Sequence, residues 1–323
     1  MSIIDYTSHS IIPQFSDIES REDCDITTNL GGIILKLPII SANMKTVTGP
    51  TMALAMYKAG GMGIIHRFST IEENIEDYLT VATQIKSINF GVTVGVKELE
   101  YERAKQLLDS DAKIICIDVA HGHNSNVFKM IEFLKNYNSN KVIIIAGNVA
   151  TAEGASDLYK CGANIIKVGI GPGFACTTRK NTGVGVPQLY AIKQIKDFQS
   201  EIPLIADGGV KTVGDIAKAI AAGADAVMVG AVLAGTTETP GEVYPDDSTD
   251  LVNRTYYKMY GGSSSAQNKG ENRFVEGRVQ TIPFKGHVKY ILKEIKEGLQ
   301  SSLSYVGARN INDFRSKVEF LET

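Results

Sequence analysis

The sequence predicts a (β/α)₈ barrel, on three observations. Eight short β-rich segments recur along the chain, spaced by the length of a strand, a helix and two loops. Most of them are nearly continuous in Val, Ile and other apolar residues, as strands buried on both faces of a parallel sheet are. The segments between them read as helices, so the two element types alternate. Eight such units in 323 residues suit one closed barrel domain over residues 1–323. An open doubly wound sheet is the structural alternative.

In order, the strands are Leu37–Ala42, Gly61–His66, Phe90–Val96, Lys113–Val119, Lys141–Gly147, Asn164–Gly169, Pro203–Asp207 and Ala226–Gly230. The first helix, Pro50–Ala59, is rich in Ala and Met and stops at Gly60-Gly61. The next, Ser69–Ile85, opens on Ser69, Glu72 and Glu73, a capping-box pattern. Glu98–Leu108, Ser125–Asn136, Ala152–Lys160, Pro187–Phe198 and Thr212–Ala221 complete the set. Cys161–Ala163 and Ala222–Ala224 each put a glycine between a helix and the following strand, a tight exit. Two stretches break the alternation: Gly171–Val186 after the sixth strand and Gly235–Phe284 after the eighth. Loops this long are usually functional or mobile. Both leave the C-terminal mouth, where barrel active sites lie.

Bulk properties narrow the partners. A net charge of −3 gives no reason to expect nucleic acid or a membrane surface. No apolar run approaches a membrane span. Met1–Asp5 lacks the basic and apolar regions of a signal peptide. Cys24, Cys116, Cys161 and Cys176 show neither metal spacing nor a disulfide framework. A reducing cytoplasm is the expected location.

Cys176 is the leading candidate for chemistry. It lies in a glycine-dense loop with Gly171 and Gly173 before it and Thr178, Arg179 and Lys180 after it. Cations nearby favour the thiolate, the nucleophilic form. A lone Cys is ordinarily an inert buried thiol; the loop around this one argues otherwise. The barrel reading also makes the polar strand ends converge: Asn43, His66-Arg67, Lys97, Asp118 with His121 and His123, Asn148, Asp207-Gly208-Gly209 and Gly230-Ala231. Lys97 and His123 are expected to be solvated bystanders. Glycines after strands seven and eight commonly bind phosphate through bare backbone N–H groups. Asp207 is placed to accept both hydroxyls of a ribose, and phosphate plus ribose means a nucleotide. His121 and His123 lack a carboxylate or thiol cluster to complete a metal site. Gly262 and Ser263-Ser264-Ser265 form either a hinge or a second set of phosphate donors.

Several stretches together carry a resemblance: Leu37–Met44, Gly61–His66, Asp118–His123, Ala146–Val149, Lys167–Gly173, Cys176–Arg179, Gly183–Gln188, Ala206–Gly209 and Ser304–Gly307. In that order they resemble the IMP dehydrogenase / GMP reductase family over nearly the whole length. The resemblance implies a (β/α)₈ barrel and a covalent thioimidate between Cys176 and C2 of a purine nucleotide. Dehydrogenases of the family reach it by hydride loss from IMP to NAD and hydrolyse it to XMP. Reductases reach it by expelling ammonia from GMP, then reduce it to IMP with NADPH.

Three local features favour the reductase branch. One helix joins the second and third strands, with no room for an inserted pair of regulatory CBS modules. Ser265 and Glu276 are eleven positions apart and Arg273 is followed by Phe274, so the flap is short and the phenol of the dehydrogenase's Arg-Tyr pair is missing. Arg179-Lys-Asn-Thr-Gly183 resembles the reductase motif. The segment Gly183–Gln188 is equally at home in a dehydrogenase, and Ser263 stands where reductases often have Met. A dehydrogenase without regulatory modules and a nucleotide-binding barrel without turnover remain the other readings. Cys176, Thr178 and Glu276 together argue against the last.

By the same resemblance, Thr178 and Glu276 form the relay that protonates the leaving amine. Gly208, Gly209, Gly230, Ala231, Gly262, Ser263, Ser264, Arg273 and Gly277 join Asp207 around the nucleotide. Asp118, Val119, Ala120, Ile170 and Gly171, with distal Arg21, Arg67, Tyr305 and Gly307, match the dinucleotide positions. Backbone carbonyls of Gly171, Gly173 and Cys176 coordinate K⁺, which neutral oxygens suit better than Mg²⁺. The family's tetramers make a homotetramer expected.

Overall fold

A computed structural model describes residues 4–85, 87–137, 142–174, 176–246, 254–262 and 278–323. Eight parallel strands close into a barrel: β1 (Ile39–Ser41), β2 (Met62–Ile65), β3 (Phe90–Val94), β4 (Ile114–Asp118), β5 (Ile143–Val149), β6 (Ile165–Val168), β7 (Leu204–Asp207) and β8 (Ala226–Val229). The ring shuts where β8 pairs with β1, Val227 opposite Ile39 and Val229 opposite Ser41. Closure removes the edges that an open sheet would leave unpaired. All eight strands lie within or overlap the segments read from the sequence.

Alternation along the strands divides the core in two. Ile40, Met62, Ile64, Ile114, Cys116, Ile145, Ile165, Ile205 and Met228 fill the barrel interior. Ile39, Ile65, Val92, Ile115, Ile144, Ile166, Leu204 and Val227 belong to the shell between sheet and helices. Both sets are apolar, which is why the strands read as continuous runs instead of alternating ones. A hairpin of Thr28–Leu30 and Ile33–Leu35 adds Leu30, Ile33 and Leu35 to the interior cluster. Its turn reaches the start of β6: a Cβ on Gly31 would stand 2.9 Å from Ile165 Cγ1. The hairpin therefore covers the N-terminal mouth.

The helices are α1 (Pro50–Lys58), α2 (Ile71–Ala82), α3 (Glu98–Asp109), α4 (Ser125–Asn136), α5 (Ala152–Cys161), α6 (Gln188–Phe198), α7 (Val213–Ala221) and α8 (Val288–Tyr305). The capping box of α2 is one residue later than the sequence suggested. Thr70, not Ser69, is the N-cap, exchanging bonds with Glu73. Each of the adjacent hydroxyls has a glutamate three residues on; the helix starts at Ile71, which puts Thr70 at the cap and Glu73 at the third helical position. Helix α8 lies beyond the segments assigned from the sequence. Its buried face, Val288, Leu292, Ile295, Leu299 and Leu303, has helical spacing. The excursion after β8 also holds more order than its composition suggested. Tyr244–Pro245, Tyr256–Gly261 and Val279–Pro283 make an antiparallel sheet.

Helix α1 approaches β2 so closely that a Cβ on Gly63 would stand 2.5 Å from Ala53 Cα. Gly63→Ala is therefore expected to destabilise the fold by about 1–3 kcal/mol, the usual cost of overpacking. A lowered denaturant midpoint is the reading; an unchanged midpoint would mean that α1 shifts freely.

Candidate active site

A cleft opens at the C-terminal mouth of the barrel. The loops after β1, β4, β5, β6, β7 and β8 all contribute to its wall. On one side stand Asp207, Gly208, Gly209, Gly230 and Ala231. On another stand Asp118, Val119, Ala120, Ile170 and Gly171. Cys176, Thr178, Gly173 and Gly262 lie in the same cleft. The mouth thus gathers most of the described candidate residues, although they are scattered over much of the sequence.

The thiol loop is held by short-range geometry. The Cys176 backbone N–H donates to the Gly173 carbonyl at 3.0 Å, closing a turn. The Cys176 Sγ lies 3.2 Å from Thr178 Oγ1, within hydrogen-bond reach. Thr178 opens a short helix, Thr178–Thr182. Gly171 has φ +85° and its position is covered by the Arg179 side chain, so both conformation and space call for glycine. Cys176 is half-buried, whereas Cys24 and Cys116 are fully buried. Burial pushes the Cys116 thiol up to about 12, which keeps it protonated and inert at neutral pH.

The loop after β7 packs against that thiol loop. A Cβ on Gly208, whose φ is +95°, would stand 3.1 Å from the Gly173 backbone nitrogen. The ordering of one loop therefore depends on the other. Asp207, at the end of β7, accepts from Lys167 Nζ at 2.7 Å and from Asn148 Nδ2 at 2.9 Å, both through Oδ2. Its Oδ1 takes no bond from a described residue and the residue lines the cleft. A carboxylate oxygen is thus available to a ligand.

Lys167 and Tyr260 are site residues that sequence reasoning did not single out. Lys167 is buried, and its ammonium also donates to Asp118 Oδ1 at 2.7 Å and to Asn148 Oδ1. Burial alone would raise the Asp118 carboxyl; the charge and hydrogen bond of Lys167, helped by Arg67 and Asn43, hold it below the usual range. Burial would lower the Lys167 ammonium, but the two carboxylates raise it above its ordinary value. Tyr260, on the strand Tyr256–Gly261, is buried against the cleft with its hydroxyl 3.1 Å from where a Gly230 Cβ would stand. The signal that could have found it is its place directly before Gly261-Gly262.

Other candidates lie elsewhere. Arg67 does not line the cleft; its guanidinium pairs with Glu100 at 3.8 Å and covers the Phe68 ring. Arg21, Tyr305 and Gly307 are also outside the lining. Gly307 has φ +67° and packs on the carbonyl of Phe15. His66 is buried, pushed down to about 4 by burial and by Lys45 and Arg103, so it is neutral. Its Nδ1 accepts from the Phe68 N–H, a turn-forming bond. Lys97 caps α3, and His123 Nε2 meets Asp157 Oδ2 at 3.0 Å. Among the described residues no group of three His, Cys, Asp or Glu could hold a metal ion. Ser263, Ser264, Arg273, Glu276 and Gly277 lie outside the described residues.

Known proteins share both the sequence and the shape. A model of the IMP dehydrogenase / GMP reductase domain matches residues 4–323. A GMP reductase of Clostridium acetobutylicum is 40% identical over 321 residues, covering 98% of this chain and 94% of the relative. The GMP reductase of Bacillus subtilis is 38% identical over 319 residues, with the same coverage. A crystal structure of a GMP reductase variant from Trypanosoma brucei, in complex with guanosine 5'-monophosphate, superposes with a TM-score of 0.89 at 27% identity. That match covers 100% of this chain and 96% of the other. Since the family model spans all but the first three residues and the barrel carries the thiol loop at its mouth, the chain belongs to the IMP dehydrogenase / GMP reductase family.

Proposed function

We propose that this chain is a GMP reductase, converting GMP to IMP and ammonia with NADPH, with Cys176 as nucleophile. One observation carries the residue assignment. A half-buried thiol with a hydroxyl at 3.2 Å shares a cleft with a carboxylate and two glycine loops of the kind that bind ribose and phosphate. Asp207 takes the ribose, while Gly208, Gly209 and Gly230 offer backbone N–H groups to the phosphate. The purine C2 then lies over the thiol.

The Cys176 sulfur adds to C2, its electron pair forming the C–S bond as the ring C=N pair moves onto nitrogen. Thr178, with Glu276 behind it, delivers a proton to the exocyclic amine. The C–N bond breaks, ammonia leaves and C2 is left as a thioimidate. Reduced nicotinamide, when bound, supplies the hydride that converts this carbon to that of IMP. Cys176 departs as thiolate and is ready for another cycle. Asp118, Val119, Ala120, Ile170 and Gly171 border the same cleft, so a nicotinamide ring has a wall beside C2 to lie against. Arg21, Tyr305 and Gly307 do not reach that wall within one chain. In the homotetramer we propose, a second copy brings them to the cofactor's far end. Among the described residues no helix is long and apolar enough to cross a membrane; a cytoplasmic enzyme is the reading we favour.

The test is direct. Purified protein with GMP and NADPH is expected to consume nicotinamide absorbance and release ammonia, whereas IMP with NAD yields no XMP. XMP formation at a comparable rate would instead make the chain a dehydrogenase.

A monovalent cation belongs to the same proposal. Gly171, Gly173 and Cys176 lie around one turn and offer neutral carbonyl oxygens, which fit K⁺. Turnover is expected to be faster in potassium than in sodium or a bulky organic cation at equal ionic strength. Equal rates would remove the cation from the site.

A further inference from the structure

Lys167 occupies a position that simple barrel packing does not explain. It sits on β6 between Ile166 and Val168 and points into the interior, directly above the apolar layer of Ile114, Cys116, Ile145 and Ile205. Its side chain is 2% exposed. A buried ammonium is costly unless every donor is used. Here all three are used: on Asp118 Oδ1, on Asp207 Oδ2 and on Asn148 Oδ1. The acceptors come from three different strands, β4, β7 and β5.

The sheet is built to let this happen. Asp118 stands opposite Gly147 in the register, and Gly147 opposite Lys167. Gly147 is the residue between them. A Cβ there would stand 2.7 Å from Lys167 Cβ and 2.5 Å from the Lys167 carbonyl oxygen. With no side chain on that residue, the Lys167 chain can cross β5 to reach Asp118. Asn148 adds a second brace, donating to Asp207 Oδ2 at 2.9 Å and to the Gly169 carbonyl at 2.7 Å.

The two carboxylates face different halves of the cleft. Asp207 is beside Gly208, Gly209 and Gly230, the nucleotide side; Asp118 is beside Val119 and Ala120, the dinucleotide side. We infer that Lys167 is a positioning residue that aims the nucleotide-binding carboxylate of Asp207 and the cofactor-side carboxylate of Asp118 from one shared cation. The inference rests on the assignment of Asp207 to the nucleotide. It takes Asp207 Oδ2 as the anchored oxygen and Oδ1 as the one a ligand meets. An ammonium that served charge balance alone would need no such division.

Charge balance and aiming can be separated. Lys167→Met alone leaves two buried carboxylates without a cation and is expected to fold poorly. Lys167→Met combined with Asp118→Asn restores the parent's net charge in the cluster, because one cation and one carboxylate charge are removed together. Asp118→Asn alone is the reference, since it keeps Lys167 on Asp207. GMP binding by calorimetry is compared among parent, Asp118→Asn and the double variant, with thermal unfolding as the check on folding. Asp118→Asn is expected to bind GMP within a few-fold of the parent and to raise the KM for NADPH. The double variant is expected to fold and to bind GMP at least about tenfold more weakly than Asp118→Asn, the scale of a lost hydrogen bond to a charged group. Equal GMP affinity in those two variants would reduce Lys167 to a counter-ion and overturn the inference. So would a double variant that cannot fold while Lys167→Met alone can, because charge compensation would then not describe the cluster. A parent that binds no GMP would fail the nucleotide assignment itself, a separate result.

Discussion

Cys176→Ala is expected to abolish turnover of GMP while leaving GMP affinity within a few-fold of the parent. The sulfur makes the bond to C2 on which both later steps depend, so no alternative path of similar barrier survives its loss. Removing a nucleophile from a site that acts as a unit costs several orders of magnitude, about 10⁴-fold or more. The fold should tolerate the change, because Cys176 is half-buried in a loop and, among the described residues, its sulfur pairs with the Thr178 hydroxyl alone. Calorimetry reads the binding and nicotinamide absorbance reads the rate. Turnover within about tenfold of the parent would rule out covalent catalysis.

That thiol was legible from the chain because its setting is local. Glycines, a hydroxyl and two cations within a few residues are enough to mark it. The strands were legible for a related reason: burial on both faces writes itself as an unbroken apolar run. The Lys167 cluster was not. Within Ile165-Ile166-Lys167-Val168 it reads as one charge in an apolar strand, and its partners are 19, 40 and 49 residues away. Nothing short-range links them; the side-by-side pairing of β4, β5, β6 and β7 does. Arg67 shows how neighbours redirect a side chain. Its place at a strand end suggested the cleft, but the nearby Glu100 and Phe68 ring draw it aside. Helix α8 carries a clear amphipathic pattern, yet it follows a long excursion instead of a barrel strand, so the alternation that located the other helices gave no cue there.

The second large effect is assigned to Glu276. If its carboxyl feeds the proton that lets ammonia leave, Glu276→Gln keeps hydrogen-bonding shape and removes the acid. GMP reduction is then expected to fall by two or more orders of magnitude, the range of general acid catalysis. Cys176 should remain alkylatable, which mass spectrometry of the treated protein shows. A variant retaining more than about a tenth of the parent rate would take Glu276 out of the relay. A variant in which Cys176 no longer reacts would locate the defect in the loop and not in proton transfer.

The hairpin of Thr28–Leu30 and Ile33–Leu35 has a consequence for traffic through the enzyme. Leu30, Ile33 and Leu35 stopper the far end of the barrel, and Ile and Met side chains fill the space between. The vessel has a floor and one door. In the proposed reaction, nucleotide, dinucleotide and ammonia would all pass the same opening. On that proposal, ammonia cut loose at C2 meets a packed interior behind it and leaves by the way the cofactor comes in. While it lingers it can add back to the thioimidate and undo the step that released it. Added ammonium is therefore a competitor for the same carbon as the hydride, and the one-ended architecture makes departure of the smallest product a gate on the whole cycle.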